Sequence, residues 1–354
     1  MRKLASIQKI EDLQPIEGAD RIEKAVINGW EVVVQKGLHT VGDSVVYFEI
    51  DSWVPHEIAP DLSRGKQPST YEGVEGARLK TIKLRGQISQ GFVIPIRELP
   101  QLASKMDLAV GDDVTDILGV LKWEKTVHAI RSGQVKGSFP SFIPKTDQHR
   151  VQNLIKNKSF FAGEWEATLK LDGSSMTLFI CDMEEDPFGV CSRNLCLKDN
   201  EDNDSNLFIQ MARKLEYKET LLAVKEAVGF NFAVQGELMG PGVQGNREKF
   251  DTIKFFVFDI YNIDEQRYLL PNERLQVFSL LNAQNKNYQH VPFVSSCIDF
   301  GGGDGDLTVD LFLDIADRQS INHHIAEGVV FKSLTDHNKS FKAISNKFLL
   351  KCEE

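Results

Sequence analysis

The chain has 354 residues, 42% hydrophobic and 26% charged, with a net charge of -10 at pH 7. This is the composition of an ordinary globular protein with room for two cores, and it excludes recognition of nucleic acid by bulk charge alone. No apolar run is long enough to span a bilayer and the N-terminus has no secretory core. The five cysteines are odd in number and lack metal-ligand spacing, so free thiols in a reducing, intracellular compartment are expected.

Residues 1–118 read as short strands and loops. Arg21–Ile27 and Glu31–Gln35 flank Asn28-Gly29, a two-residue hairpin signal. Val41–Ile50 is a further strand, 61–76 a polar surface loop, and Arg78–Pro95 two strands around Arg85-Gly86. Val110-Gly111-Asp112 echoes Val41-Gly42-Asp43, too briefly for a repeat architecture. Short strands over about a hundred residues suggest a small closed barrel, of which the OB-fold is one kind. Lys80, Lys83 and Arg85 form a cationic edge; a solvated hairpin and an RNA contact both account for it.

Residues 119–158 hold eight Lys and Arg against two carboxylates. This basic stretch is either a solvated connector or a seat for an anionic partner such as phosphate. The boundaries expected are an OB-like domain over 1–118, a connector over 119–140 and a second domain over 141–354. Within Phe142–Asn153, Pro144 enforces extension, and Thr146 or Asp147 is placed to cap a short helix.

Glu164 to Ile180 is a strand, a tight turn at Gly173 and a second strand. Period-two alternation puts Trp165, Ala167, Leu169 and Leu171 on an apolar face and Glu166, Thr168, Lys170 and Asp172 on the other. A lysine and a carboxylate thus share one face at a strand's mouth, where the amine becomes a nucleophile if its proton can be removed. The bland reading is a solvated face ending in a turn, and K-x-D-G arises by chance in about one chain in ten of this length. Asp182–Gly189 is a hairpin tip, followed by Val190–Leu195 with Ser192-Arg193-Asn194. Asp199–Asp204 does not match an EF-hand and reads as a solvated loop. Asn206–Val228 has helical periodicity, Phe232–Met239 and Lys254–Tyr261 are strands, and Arg274–Ala283 and Thr308–Arg318 are helical around a glycine-rich loop at 301–306. His323 and His324 are adjacent and ill-placed to share one ion. Ile325–Lys332 and Lys339–Leu350 are the last strands. The whole is α+β: an N-terminal OB-like β-barrel and a C-terminal antiparallel α+β domain.

Lys170 with Asp172, Arg193, Glu237, Glu327 and Lys342 stand as charges in otherwise apolar strands. Each alone is more often structural than catalytic. Together they suit phosphoryl chemistry, in which carboxylates hold Mg²⁺ and cations neutralise phosphate oxygens.

In order, Lys170-Leu171-Asp172-Gly173, Ser192-Arg193-Asn194, Gly236-Glu237-Leu238 with Gly240-Pro241 and Gln244, Phe258-Asp259-Ile260, Glu327-Gly328-Val329-Val330 and Phe341-Lys342-Ala343 resemble the six motifs of the covalent nucleotidyltransferases, the superfamily of polynucleotide ligases and capping enzymes. DNA ligases and capping enzymes carry an OB domain after the last motif, and the sequence past Lys351 leaves no room for one. The N-terminal OB-like domain and the Phe142–Asn153 stretch resemble RNA ligases of the Deinococcus and Naegleria type, nearer the Naegleria side.

The resemblance implies an ATP-dependent RNA ligase that joins 3′-OH and 5′-phosphate ends through a lysyl-AMP and an adenylylated RNA, in RNA repair or nick sealing. ATP and Mg²⁺ or Mn²⁺ are the implied cofactors, RNA the partner, and a monomer is expected. Lys170 is the implied nucleophile, aided by Asp172 and Lys342. Glu327, Asp172 and Glu237 would hold metal, Glu237 alternatively touching the ribose. Gly173 would let the protein backbone approach the nucleotide, Phe258 would stack on adenine, Arg193 would take ribose or the RNA 5′-phosphate, and Lys80, Lys83 and Arg85 would be further RNA contacts. The final motif has Ala343-Ile344 where some relatives have a second lysine, so Lys347 or Lys332 supplies that cation. Two other readings remain: an RNA-binding protein without turnover, and a DNA ligase or guanylyltransferase.

Overall fold

The computed structural model describes residues 3–63, 65–103, 108–124, 132–301 and 307–351. Past Gly301 the expected glycine-rich loop lies outside the described residues, as do 125–131 of the basic connector. The chain divides into two compact units, residues 1–126 with 152–156 and 349–354, and residues 127–151 with 157–348.

The first unit is built of short strands around Ile7, Val46, Phe48, Val54, Ile94 and Val114. Asn28 and Gly29 take positive φ, 51° and 84°, the backbone of a primed turn, and join Ile22–Ile27 to Trp30–Gln35. Ala5–Lys9 and Phe92–Pro95 flank Ser44–Phe48. The two Val-Gly-Asp segments are one device used twice. The Gly42 N–H donates to Ile10 and the Gly111 N–H to Ile7, both at 2.7 Å, and each aspartate carbonyl accepts the N–H in return. Residues 61–76 are not all loop: Ser69–Tyr71 pairs with Val74–Arg78 through a turn at Glu72-Gly73. Polar composition there marks an edge hairpin rather than an absence of pairing. Lys80, Lys83 and Arg85 are exposed, beside and on the Ile82–Leu84 and Gln87–Ser89 hairpin.

The second unit has two sheets. The larger runs Val135–Ser138, Leu195–Leu197, Phe188–Cys191, Ser174–Ile180, Phe232–Met239, Lys254–Asn262 and Arg267–Tyr268, with Tyr288–His290 also on the Lys254–Asn262 strand. The smaller runs His149–Arg150, Ser340–Ile344, Gly328–Ser333, Glu164–Lys170 and Phe293–Asp299. Helices cover the outer face of the larger sheet, burying Met176, Leu178, Val234 and Val257 against Ile209, Leu221 and Leu281. On the smaller sheet Trp165, Phe331 and Phe341 pack with Phe161 and Phe312; Phe331 and Phe341 stack at 4.6 Å. Such pairs add about 0.5–1.5 kcal/mol beyond their burial.

Several expectations change here. The Asn206–Val228 helix is two, Leu207–Lys214 and Tyr217–Val228, broken at Glu216 in a left-handed conformation (φ 48°). The strand expected over Lys339–Leu350 ends at Ile344, and Asn346–Lys351 is helical. Asp199–Asp204 contains a 3₁₀ turn at Glu201–Asn203 with Asn203 buried. Thr146 and Asp147 cap no helix; the chain runs extended into His149–Arg150, which pairs in parallel with Phe341 and Lys342.

Candidate active site

Lys170 is the last residue of the Glu164–Lys170 strand and lies opposite Gly328, which brings it beside Glu327. Its Nζ donates to Glu327 Oε2 at 2.7 Å. A Cβ on Gly328 would stand 2.1 Å from the Ala343 carbonyl oxygen, so only glycine permits this strand approach. At Ser174 the chain has crossed into the larger sheet, and Ser175 lies opposite Glu237. The Gly173 N–H donates to Glu237 Oε1 at 2.9 Å. A Cβ on Gly173 would lie 2.4 Å from the Leu238 carbonyl oxygen. Glycine is thus required at the motif's turn by the neighbouring strand.

Trp165 and Ala167 are fully buried, as the alternation predicts, but Glu166 and Thr168 are only 2% and 3% exposed. The polar face of this strand is interior here, where buried Arg274 of the Pro271–Gln284 helix meets Glu166. That explains the charges around Lys170. Burial works against its ammonium, but the carboxylates of Glu327, Glu237 and Asp172 outweigh it and hold Lys170 above the ordinary lysine value. Burial likewise raises Glu327 and pushes Glu237 up to about 8, with Lys170 pulling the other way. One ammonium among three carboxylates leaves a surplus of negative charge, which a proton or a further cation relieves.

Among the described residues no three carboxylate, histidine or cysteine side chains stand close enough to hold a metal ion. The donors at Lys170 are nevertheless all carboxylates, the hard oxygen ligands that Mg²⁺ and Mn²⁺ take, and Mg²⁺ commonly uses only one or two of them with water and substrate phosphate. The residues present therefore fit a divalent cation shared with a phosphate, and do not form a closed protein cage.

The other charges of the expected site make separate contacts. Lys342 Nζ donates to Asp147 Oδ1 at 3.2 Å, and its charge draws on Glu327. Lys332 pairs with Asp259 at 2.7 Å and donates to the Phe258 carbonyl; burial lowers it, with Asp259 opposing. Lys347 pairs with Asp317 at 2.7 Å and is 62% exposed. Neither Lys332 nor Lys347 makes its ion pair with the Lys170 carboxylates. The register of Phe232–Met239 against Lys254–Asn262 slips between Gln235 and Gly236, leaving Phe258 as the extra residue of a bulge. A bulge re-aims side chains, and here Phe258 packs against the cluster that contains Leu169 and Leu171 while its neighbour Asp259 meets Lys332. Arg193 is exposed at a hairpin tip and lines a cleft of about 230 Å³ with Phe139, Lys145, Thr146, Ser175, Thr177 and Gln235. His323 lies against Arg247 Nη2, at 3.2 Å.

Three features escaped the sequence reading. Asp147 is the partner of Lys342. Glu166 accepts from Arg274 Nη2 through both oxygens, at 2.6 and 2.7 Å, a fully buried pair. Arg247 reaches Asp172 at 3.3 Å. Only Glu166 carried a signal, its place on the same strand face as Lys170.

A family model described as RNA ligase matches residues 163–344, and an OB-fold domain model matches residues 4–96. No curated protein matches the chain. Among solved structures, an alanine mutant of Naegleria gruberi RNA ligase with ATP and Mn is 42% identical, at a TM-score of 0.85, over 98% of this chain and 97% of that one. The Naegleria gruberi enzyme with PPi is 42% identical over 99% and 98% of the two chains, TM-score 0.86. A further mutant with AMP and Mn is 41% identical over 98% of each, TM-score 0.86.

Proposed function

Since the chain belongs to the RNA ligase family, we propose a role for each group along the cleft. The protein is an ATP-dependent RNA ligase that works through an adenylylated lysine and uses a divalent metal. Its substrates are RNA 3′-OH and 5′-phosphate ends. Lys170 is the nucleophile: its Nζ forms a bond to the α-phosphorus of ATP as pyrophosphate leaves. The observation that carries this is the Lys170–Glu327 contact at 2.7 Å, with Glu237 and Asp172 as the next charges around it.

In the resting site the Lys170 lone pair is tied up as an ammonium against Glu327, so the amine must shed its proton before it can attack. Glu327, with Asp172 and Glu237 reaching through water, would hold a divalent cation, whose charge would draw these carboxylates off the ammonium and neutralise phosphate oxygens. Glu237 fixes the motif turn through Gly173 with one oxygen and keeps the other for the metal or a ribose hydroxyl. Lys342, within the field of Glu327, steadies the α-phosphate once a nucleotide competes with Asp147 for it. Phe258 stacks on adenine, and Lys332 fixes the strand that carries it. Lys347 takes the part of a second phosphate cation only by leaving Asp317. Arg193 takes ribose or the RNA 5′-phosphate at the cleft it shares with Lys145. Lys80, Lys83 and Arg85 are RNA contacts outside the cleft.

The nucleotidyltransferase domain is taken as 141–354, the OB-like domain as 1–118 and the connector as 119–140. The substrate is a break in RNA, a nick included, and the role is repair. The working form is a monomer. The described cysteines are free thiols, which supports a reducing compartment, and no helix among the described residues is long and apolar enough to cross a membrane.

The test is label transfer from ATP carrying a labelled α-phosphate, with denaturation and detection of acid-labile label on the protein. Lys170→Ala should take no label yet still close pre-adenylylated RNA. Loss of both activities would remove Lys170 from the first step alone. Pyrophosphate pretreatment strips any AMP already bound.

A further inference from the structure

The ten residues after the Phe232–Met239 strand form a tight loop. Gln244, Asn246 and Lys249 all take positive φ, 48°, 44° and 52°, without being glycine. Such backbone costs about 1 kcal/mol or more per residue and persists only where its surroundings enforce it. Asn246 enforces it here: its Oδ1 accepts the Phe250 N–H at 3.0 Å and its Nδ2 donates to the Phe250 carbonyl at 2.9 Å. The loop presents two adjacent side chains to the segment that leads into Glu327. Glu248, buried, accepts the N–H groups of Asn322 and His323 at 2.5 and 3.1 Å. Arg247 donates from Nη2 to the Ile325 carbonyl at 3.2 Å and from Nη1 to Asp172 Oδ2 at 3.3 Å. The face of its guanidinium lies over Phe348, 4.6 Å from the ring centroid.

We propose that Arg247 is a positioning residue for lysine adenylylation. One planar fork ties the carboxylate two residues after the nucleophile to the backbone two residues before Glu327, and so sets the spacing of the groups around Lys170. A lysine cannot replace it, because a single ammonium on a flexible stem lacks two coplanar donors and the stacking face. The inference rests on Lys170 as the adenylylated residue.

The experiment measures single-turnover label transfer from ATP with parent, Arg247→Ala, Arg247→Lys, Asp172→Ala and the double variant Arg247→Ala/Asp172→Ala. The parent and Lys170→Ala run alongside, so failure of the lysine-adenylylation reading shows separately, as label that persists without Lys170. Arg247→Ala should slow the first step at least about tenfold at saturating ATP, since misplacement of an ångström costs up to about a hundredfold. Its apparent ATP affinity should stay within about threefold, as fits a group that orients rather than binds. The double variant should be no slower than Asp172→Ala within about threefold, since residues acting as one unit are not additive. Arg247→Lys should remain impaired, and it serves as the informative variant if Arg247→Ala fails to fold. A parent-like rate in Arg247→Lys, or losses that multiply in the double variant, would overturn the proposal.

Discussion

Removing Glu166 while leaving Arg274 isolates one buried charge beneath the cleft. Arg274 is 0% exposed and Glu166 2%, and both Glu166 oxygens take Nη2. The Nε and Nη1 groups of Arg274 have no hydrogen-bond partner among the described residues, so Glu166 is its principal compensation. The surroundings offer no substitute. Lys332 lies close enough to feel both charges, and His290 is pushed down to about 4 by burial and then by Arg274 itself. Glu166→Leu should therefore cost about 3–5 kcal/mol, the range for a buried pair broken on one side. At about 2–4 °C per kcal/mol for a unit of this size, the melting temperature of the second unit falls by about 10 °C. The double variant Glu166→Leu/Arg274→Met removes both charges at similar volume and should return to within about 1 kcal/mol of the parent, or exceed it. Differential scanning calorimetry with urea titration reads both. A single variant melting within about 2 °C of the parent, or a double variant as unstable as the single, would refute the reasoning.

Gly173→Ala places a methyl 2.4 Å from the Leu238 carbonyl oxygen and should cost about 1–3 kcal/mol. It should also break the bond to Glu237 and slow lysine labelling by about a hundredfold, measured with the label-transfer assay. Glu237 predicts a pH dependence of stability in metal-free protein. Its folded value of about 8 lies above the ordinary 4.5, so its contribution is fully present below the unfolded value and is lost as pH rises through about 8. Glu237→Gln removes that loss, and its unfolding free energy from urea titration should exceed the parent's progressively from about pH 5 to pH 9, by about a few kcal/mol at the top. Parallel profiles would show that the group does not carry the shift.

The strands that hold the site were legible because period-two alternation is local. The Asn28-Gly29 turn was legible for the same reason, since left-handed backbone leaves a residue signature. Even the echo of Val41-Gly42-Asp43 in Val110-Gly111-Asp112 had a structural cause, a turn docked twice on one strand. What could not be read depends on partners far along the chain. Alternation placed Glu166 opposite the apolar face but could not say that this face is buried, because that follows from Arg274, a partner more than a hundred positions away. The break at Glu216 was hidden because the apolar period continues through Leu215 and Tyr217, both buried in one cluster. Thr146 and Asp147 had the residue types of helix caps, but the parallel pairing of His149–Arg150 keeps the chain extended. Arg247 sits in a loop with no period to betray it.

The crossing of the chain between sheets has a mechanical consequence. Lys170 closes one sheet and Ser174 opens the other, so at this corner their backbones cannot part by more than about 14 Å, the stretched length of four residues. A second crossing lies close by, where the Val291 N–H donates to Val257 in one sheet and the Pro292 carbonyl accepts from Leu169 in the other. Farther along, the sheets are joined by the side-chain latch of Lys332 on Asp259 and the Phe258 carbonyl. The two sheets are thus held by a covalent spine at one place and an ionic clasp at another. At the Lys170 end the chain itself limits any widening, and at the Lys332 end a side-chain contact holds it.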